Sequence, residues 1–134
     1  MKMLHQGGCH CGAVRFECRL EPAEGTSRCN CSVCAKGRFW KVIARKDDFR
    51  ILQGETELSD YQFGSGNIHH LFCRRCGIKP FGRGHHDALG GTFFAINVAC
   101  LDGSAPEEIA AGPIQYQDGR NNAWDRAPAE TRHL

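Results

Sequence analysis

Nine cysteines in 134 residues constrain this chain more than any other feature, because seven of them fall into three short clusters. Cys9 and Cys11 are separated by one residue. Cys29, Cys31 and Cys34 lie within "RCNCSVC", and Cys73 and Cys76 bracket two arginines in "FCRRCG". An odd count suits disulfides poorly, and a Cys-x-Cys pair is too tight for an easy bridge. The start, "MKMLHQGGCHCG", carries no apolar run of signal-peptide length. The expectation is a cytoplasmic protein, where disulfides rarely persist. Metal is the reading that uses the thiols.

"FCRRCG" has the form of a zinc knuckle. Two Cys spaced by two residues precede Gly77, which permits a left-handed turn that aims backbone N–H groups at the sulfurs. A knuckle supplies two ligands and needs two more. Cys9 and Cys11, followed by Gly12, are the one remaining pair. Joining them to Cys73 and Cys76 closes a four-sulfur site and leaves Cys29, Cys31 and Cys34 as a set of three. The alternative is a single four-sulfur site that draws on the 29–34 cluster and leaves Cys9 and Cys11 spare. A structural zinc is closed by four ligands, whereas a catalytic one keeps a position free. Cys18 and Cys100 stand alone in apolar strand contexts and read as small hydrophobes. Cys100 is the candidate for a hidden fourth ligand of the three-cysteine set.

Elsewhere strand signals dominate. "AVRFECR" (13–19) alternates, with Val14, Phe16 and Cys18 on one face and Arg15, Glu17 and Arg19 on the other. Further strands are expected at 38–45, 49–52, 58–63, 68–73 and 92–101, with the "GSGN" turn (64–67) making a hairpin. The one helix signal is "GSAPEEIAAG" (103–112). Ser104 is its expected cap, Pro106 and the acidic pair Glu107–Glu108 fit its first turn, and Gly112 stops it after about two turns. A chain of this length reads as one domain spanning residues 1–134, mostly β.

The net charge is +2 and the basic residues are scattered, which argues against nucleic acid or an anionic membrane as the main partner. No stretch approaches the roughly 18 apolar residues of a membrane span. His69 and His70 are adjacent in a strand and so point to opposite faces; neither these nor "GRGHHD" (82–87), read as a loop, is expected to ligate. His10 is expected to point away from the metal of its neighbours.

These motifs, in this order and over nearly the whole chain, resemble the glutathione-dependent formaldehyde-activating enzymes, a family that includes centromere protein V. "GGCHCGAVRFEC" looks like the family's opening strand, "CNCSVCAKG" its three-cysteine motif, "FCRRCGIKPF" its knuckle, and "INVACLDG" its late strand and turn. The resemblance implies a β-tent fold with one or two short helices and two zinc ions. Cys9, Cys11, Cys73 and Cys76 would hold a structural zinc. Cys29, Cys31 and Cys34 would hold a catalytic zinc with an open position for substrate. The family's reaction joins glutathione to formaldehyde, so the implied activity is a carbon–sulfur lyase or synthase acting on a small thiol and an aldehyde. Two residues depart from the family's pattern: Asn30 stands where His is common, and Gly37 where a second basic residue is expected. The chain is also shorter than the enzymes with the named activity.

For substrate contacts, Arg120, Asn121 and Asn122 in "DGRNNAW" are candidates to bind peptide carboxylates. The plainer reading is a surface turn with Trp124 on the core. Phe39 and Trp40 are candidates for a pocket wall, with core packing as the alternative. The competing function is a binding module whose zincs only shape a surface for protein or nucleic acid. A third is a metal or thiol sensor. The oligomeric state is not legible.

Overall fold

A computed structural model describes residues 1–134 as two antiparallel-dominated sheets with two short helices. The smaller sheet has the order β1 (Met3–Gly8), β2 (Arg15–Leu20), β5 (Phe49–Gln53). The larger runs β10 (Ile114–Gln117), β3 (Thr26–Cys29), β4 (Trp40–Arg45), β9 (Gly91–Asn97), β8 (Phe81–His86), β7 (His69–Cys73), β6 (Leu58–Tyr61). Helix α1 (Ser32–Gly37) follows β3, and α2 (Ala105–Ala110) follows β9. No helix is long and apolar enough to cross a membrane. The mostly β class with two short helices is as the sequence implies.

The core lies between the sheets and follows from side-chain alternation. Val14, just before β2, and Phe16, Cys18 and Leu20 on it point inward, while Arg15 and Glu17 stay at the surface in ion pairs with Asp102 and Arg50. Phe16 and Phe49 from the small sheet meet Phe81 and Phe94 from the large one. Their centroids are 4.1 Å apart for Phe49–Phe94 and 4.7 Å for Phe49–Phe81. Such offset and edge contacts add to the burial of these large apolar side chains.

Several elements depart from the sequence reading. The stretch 82–87, read as a loop, is mostly strand β8, because its glycines are a packing requirement: a Cβ on Gly84 would come within 2.6 Å of Ile68 and Phe93. The strand expected over 92–101 ends at Asn97, where the Asn97 side chain accepts the Ala99 N–H and turns the chain. Helix α1 escaped notice because a cysteine, not a polar capping residue, occupies its N-cap. α2 has its expected length with Pro106 in the first turn, but Ser104 donates to the Glu108 carboxylate rather than capping the backbone.

The register of the large sheet gives it two distinct faces. Phe81, Ile96, Phe94, Val42 and Leu71 share the inner one. Tyr61, His70, Gly82, Ala95, Asn97, Lys41, Cys29 and Gln117 are successive register partners or alternate residues, which puts them on the outer one.

Candidate metal centres on opposite faces of one sheet

The ligand atoms of Cys9, Cys11, Cys73 and Cys76 all lie within 4.8 Å of one another, and so do those of Cys29, Cys31 and Cys34. The four-plus-three grouping read from the sequence is therefore the grouping of the folded chain. The alternative, with Cys9 and Cys11 spare, is not.

The four-cysteine cluster joins the sheets. Cys9 and Cys11 come from the β1–β2 turn, Cys73 ends β7 on the inner face, and Cys76 lies in the turn to β8. Both turns are closed by a left-handed glycine: Gly12 at φ 83° donates to the Cys9 carbonyl, and Gly77 at φ 78° donates to that of Cys73. Neither site is crowded, so here the conformation is what favours glycine. Backbone N–H groups then reach the sulfurs, Val14 to Cys9 at 3.3 Å and Arg75 to Cys73 at 3.4 Å. Arg74 and Arg75 both pair with Glu57, tying the knuckle to the start of β6.

The donor set fits zinc. A tetrahedral site with Zn–S bonds of about 2.3 Å has sulfurs about 3.8 Å apart. Cys9–Cys11 and Cys11–Cys73 are each separated by 3.7 Å. Backbone N–H groups hold the Cys76 thiol, through Cys11 and then Ile78, at about 6. Deprotonated sulfur is what a metal requires.

The three-cysteine cluster is built on the outer face. Cys29 ends β3, Cys31 is the N-cap of α1 and Cys34 lies one turn into it. The Cys31 N–H reaches the Cys29 sulfur at 3.2 Å. The thiols of Cys29 and Cys34 hold Cys31 far below the ordinary thiol range, with Lys41 a smaller contribution in the same direction. The same contacts push Cys34 upward.

Two elements far away in sequence complete this site. Asn30 is buried, its amide donating to Asp118 Oδ1 at 2.8 Å while its carbonyl accepts the Arg120 N–H at 2.9 Å. This pins the turn after β10 against the cysteines. A Cβ on Gly119 would lie 2.6 Å from the Cys29 sulfur. The "DGRNNAW" stretch is therefore next to the three-cysteine site, though Asn121 is spent on Asp118 and Asn122 accepts from Trp124. Trp124 is 46% exposed and not a core residue, so that expectation is corrected. Phe39 and Trp40 divide: Trp40 packs on the core and donates to Thr26 at 2.7 Å, while Phe39 lies under the Lys79 ammonium. Cys18 is buried in the core, and Cys100 belongs to neither cluster, its thiol directed at the Lys79 carbonyl. His69 pairs with Asp60, and His70 faces the other way to Lys79. His70 and Lys79 were not singled out from sequence as neighbours of this site.

Residues 4–116 match the family model of the glutathione-dependent formaldehyde-activating enzymes. The chain belongs to this family. A Halomonas elongata protein described as a "putative glutathione-dependent formaldehyde-activating enzyme" is 34% identical across 55% of this chain and 52% of its own length. The chain thus spans about half the length of that curated relative. The crystal structure of a Rhodobacter sphaeroides protein, also 34% identical, covers 82% of this chain and 99% of its own, with a TM-score of 0.68. The turn that Asn30 pins, residues 118–124, lies beyond the part matched by the family model.

Proposed function

We propose that the chain catalyses the reversible addition of a small thiol, glutathione or a related peptide thiol, to formaldehyde or a related aldehyde. In this reading Cys9, Cys11, Cys73 and Cys76 hold a structural zinc, and Cys29, Cys31 and Cys34 hold a catalytic one. The observation that carries it is the difference in donor number: four ligand-type side chains converge in one cluster and three in the other. Three protein ligands are the pattern of zinc sites that exchange their fourth.

Cys29, Cys31 and Cys34 would hold the zinc, which would supply the Lewis acidity that makes an incoming thiol, ordinarily with a pKa of about 8.5, nucleophilic at neutral pH. The chain's own residues do the rest. Cys29 is fixed by β3 and by the Gly119 backbone against its sulfur, and Cys31 and Cys34 by α1. Phe39, whose N–H bonds the Cys34 carbonyl at 3.1 Å, fixes the end of α1 and offers a buried apolar ring close to the cysteines. The substrate sulfur attacks the carbonyl carbon; in reverse, the carbon–sulfur bond breaks. Arg120, next to the cysteines and in no ion pair, is available to a peptide carboxylate. A cytoplasmic address suits nine unbridged thiols. The two-sheet architecture with cysteines at the turns suits the β-tent expected of the family.

Cobalt(II) substitution tests this. Titrating glutathione should move the visible bands of the three-cysteine site toward those of four sulfurs, with proton release, while the other site's bands stay fixed. A peptide with Ser in place of Cys should do nothing. If no small thiol moves the bands and no aldehyde is consumed, the site is closed and the protein is a binding module.

A further inference from the structure

A half-buried lysine lies on the outer face, toward the three-cysteine site, with no acid to pair with. Lys79 follows the four-cysteine knuckle, and none of the chain's ion pairs includes it. Its ammonium donates to His70 Nδ1 at 2.7 Å and sits 4.0 Å from the centre of the Phe39 ring. His70 is itself buried, stacked on Phe63 at 5.4 Å. An amine held by an imidazole and an aromatic face, without a carboxylate, is costly to withdraw even partly from water, and such groups concentrate at working sites.

The backbone around Lys79 is fixed. Its carbonyl accepts from Asn97 Nδ2 at 3.0 Å and from the Cys100 thiol, and the next residue, Pro80, is fully buried and accepts the Asn97 N–H at 2.9 Å. Its side chain runs over Gly82: a Cβ there would lie 3.6 Å from Lys79 Cε, in ordinary contact. The amine therefore lies on the outer face, the face of Cys29. The charged and titratable groups that face it are His70 from β7, Cys31 and Cys34 around α1, and Lys41 from β4. Burial pushes the ammonium below the usual lysine range, and the two cysteines oppose that by stabilising its charge.

We propose that Lys79 is the proton donor of the three-cysteine site, binding the carbonyl oxygen of the aldehyde. The inference rests on the function proposed above. As the substrate sulfur forms its bond to the carbonyl carbon, the C=O π pair moves onto oxygen. That oxygen takes a proton from the Lys79 ammonium, leaving a hydroxymethyl thioether and a neutral amine, which solvent reprotonates. In reverse the neutral amine removes the hydroxyl proton, the C=O bond re-forms and the thiolate leaves. His70, accepting one N–H, holds another aimed at the oxygen; it is a positioning residue.

Two variants test this, each read by turnover and by cobalt spectroscopy. Lys79→Met should lower kcat roughly 100-fold in both directions, the size usual for a lost general acid. Its glutathione titration midpoint in the cobalt spectrum should stay within about twofold, because thiol binding precedes the proton transfer. Lys79→Arg keeps the charge and the contact with Phe39 but surrenders a proton poorly, so its kcat should also fall while the fold and thiol titration persist. Full kcat in either variant overturns the proposal, as does loss of the thiol titration in Lys79→Arg, which would make Lys79 a structural residue. A wild-type protein that neither binds thiol nor consumes aldehyde overturns the proposed function and this inference together. A wild-type protein that does both, beside a fully active Lys79→Met, overturns this inference alone.

Discussion

The two cysteine clusters lie on opposite faces of the same sheet, and their surroundings differ accordingly. The four-cysteine cluster takes Cys73 from the inner face and Cys9 and Cys11 from the other sheet, so it acts as a clasp between layers. Its sulfurs are met by backbone N–H groups and its turns are closed by two left-handed glycines, all local to those turns. The three-cysteine cluster links nothing across the core. Beside Phe39 and Lys41, which follow closely in sequence, its neighbours come from afar: Lys79 and the turn pinned by Asn30. A site that only holds the fold needs strong local geometry. A site that performs chemistry needs groups delivered by several elements.

The largest test of that contrast is a pair of substitutions. Cys76→Ser should unfold the chain or make it insoluble, since a closed zinc site in a small module contributes on the order of 10 kcal/mol to folding. Cys31→Ser should remain folded and lose one zinc of two. Melting curves and metal content check both, and equal losses of Tm would remove the distinction between clasp and reaction site.

Two smaller substitutions probe the outer site through its remote partners. Gly119→Ala drives a methyl into the Cys29 sulfur and the Trp124 ring, with an expected cost of about 1–3 kcal/mol. In cobalt-loaded protein it should distort the three-sulfur bands and leave the four-sulfur bands alone; a change in both would show that the centres are coupled. Asn30→Ala leaves Asp118 Oδ1 and the Arg120 N–H without their partner, though Asn121 still donates to Oδ2, costing about 1–3 kcal/mol. Hydrogen exchange should then speed up across 118–124 while the β1–β2 turn stays protected. Unchanged exchange would mean that other contacts hold that turn.

The smallest effects belong to the two cysteines outside both clusters. Cys18→Ala and Cys100→Ala remove little volume, so each should cost about 1 kcal/mol and leave the zinc content at two. Burial pushes both thiols up, Cys18 to about 12 and Cys100 to about 11, so neither is a thiolate at neutral pH. Loss of a metal in Cys100→Ala would make it the fourth ligand and remove the case for catalysis.

The sequence by itself determined what depends on near neighbours. The alternation of β2 gave its buried face, and the proline and paired acids in the first turn of α2 gave that helix. The sorting of cysteines was also legible, because spacing and a following glycine mark a knuckle whatever surrounds it. Strands β1, β3 and β10 were not, since each is defined by its partner: β10 pairs parallel to β3 across some 88 residues, and no local pattern announces that. Strand β8 was misread because its glycines look like a loop until Ile68 and Phe93 occupy the space they leave. Nothing near Lys79 in the sequence points to Cys34, and nothing near Asn30 points to Asp118. Only the folded sheet places them together, because its register fixes which side chains share a face, and register is a long-range property.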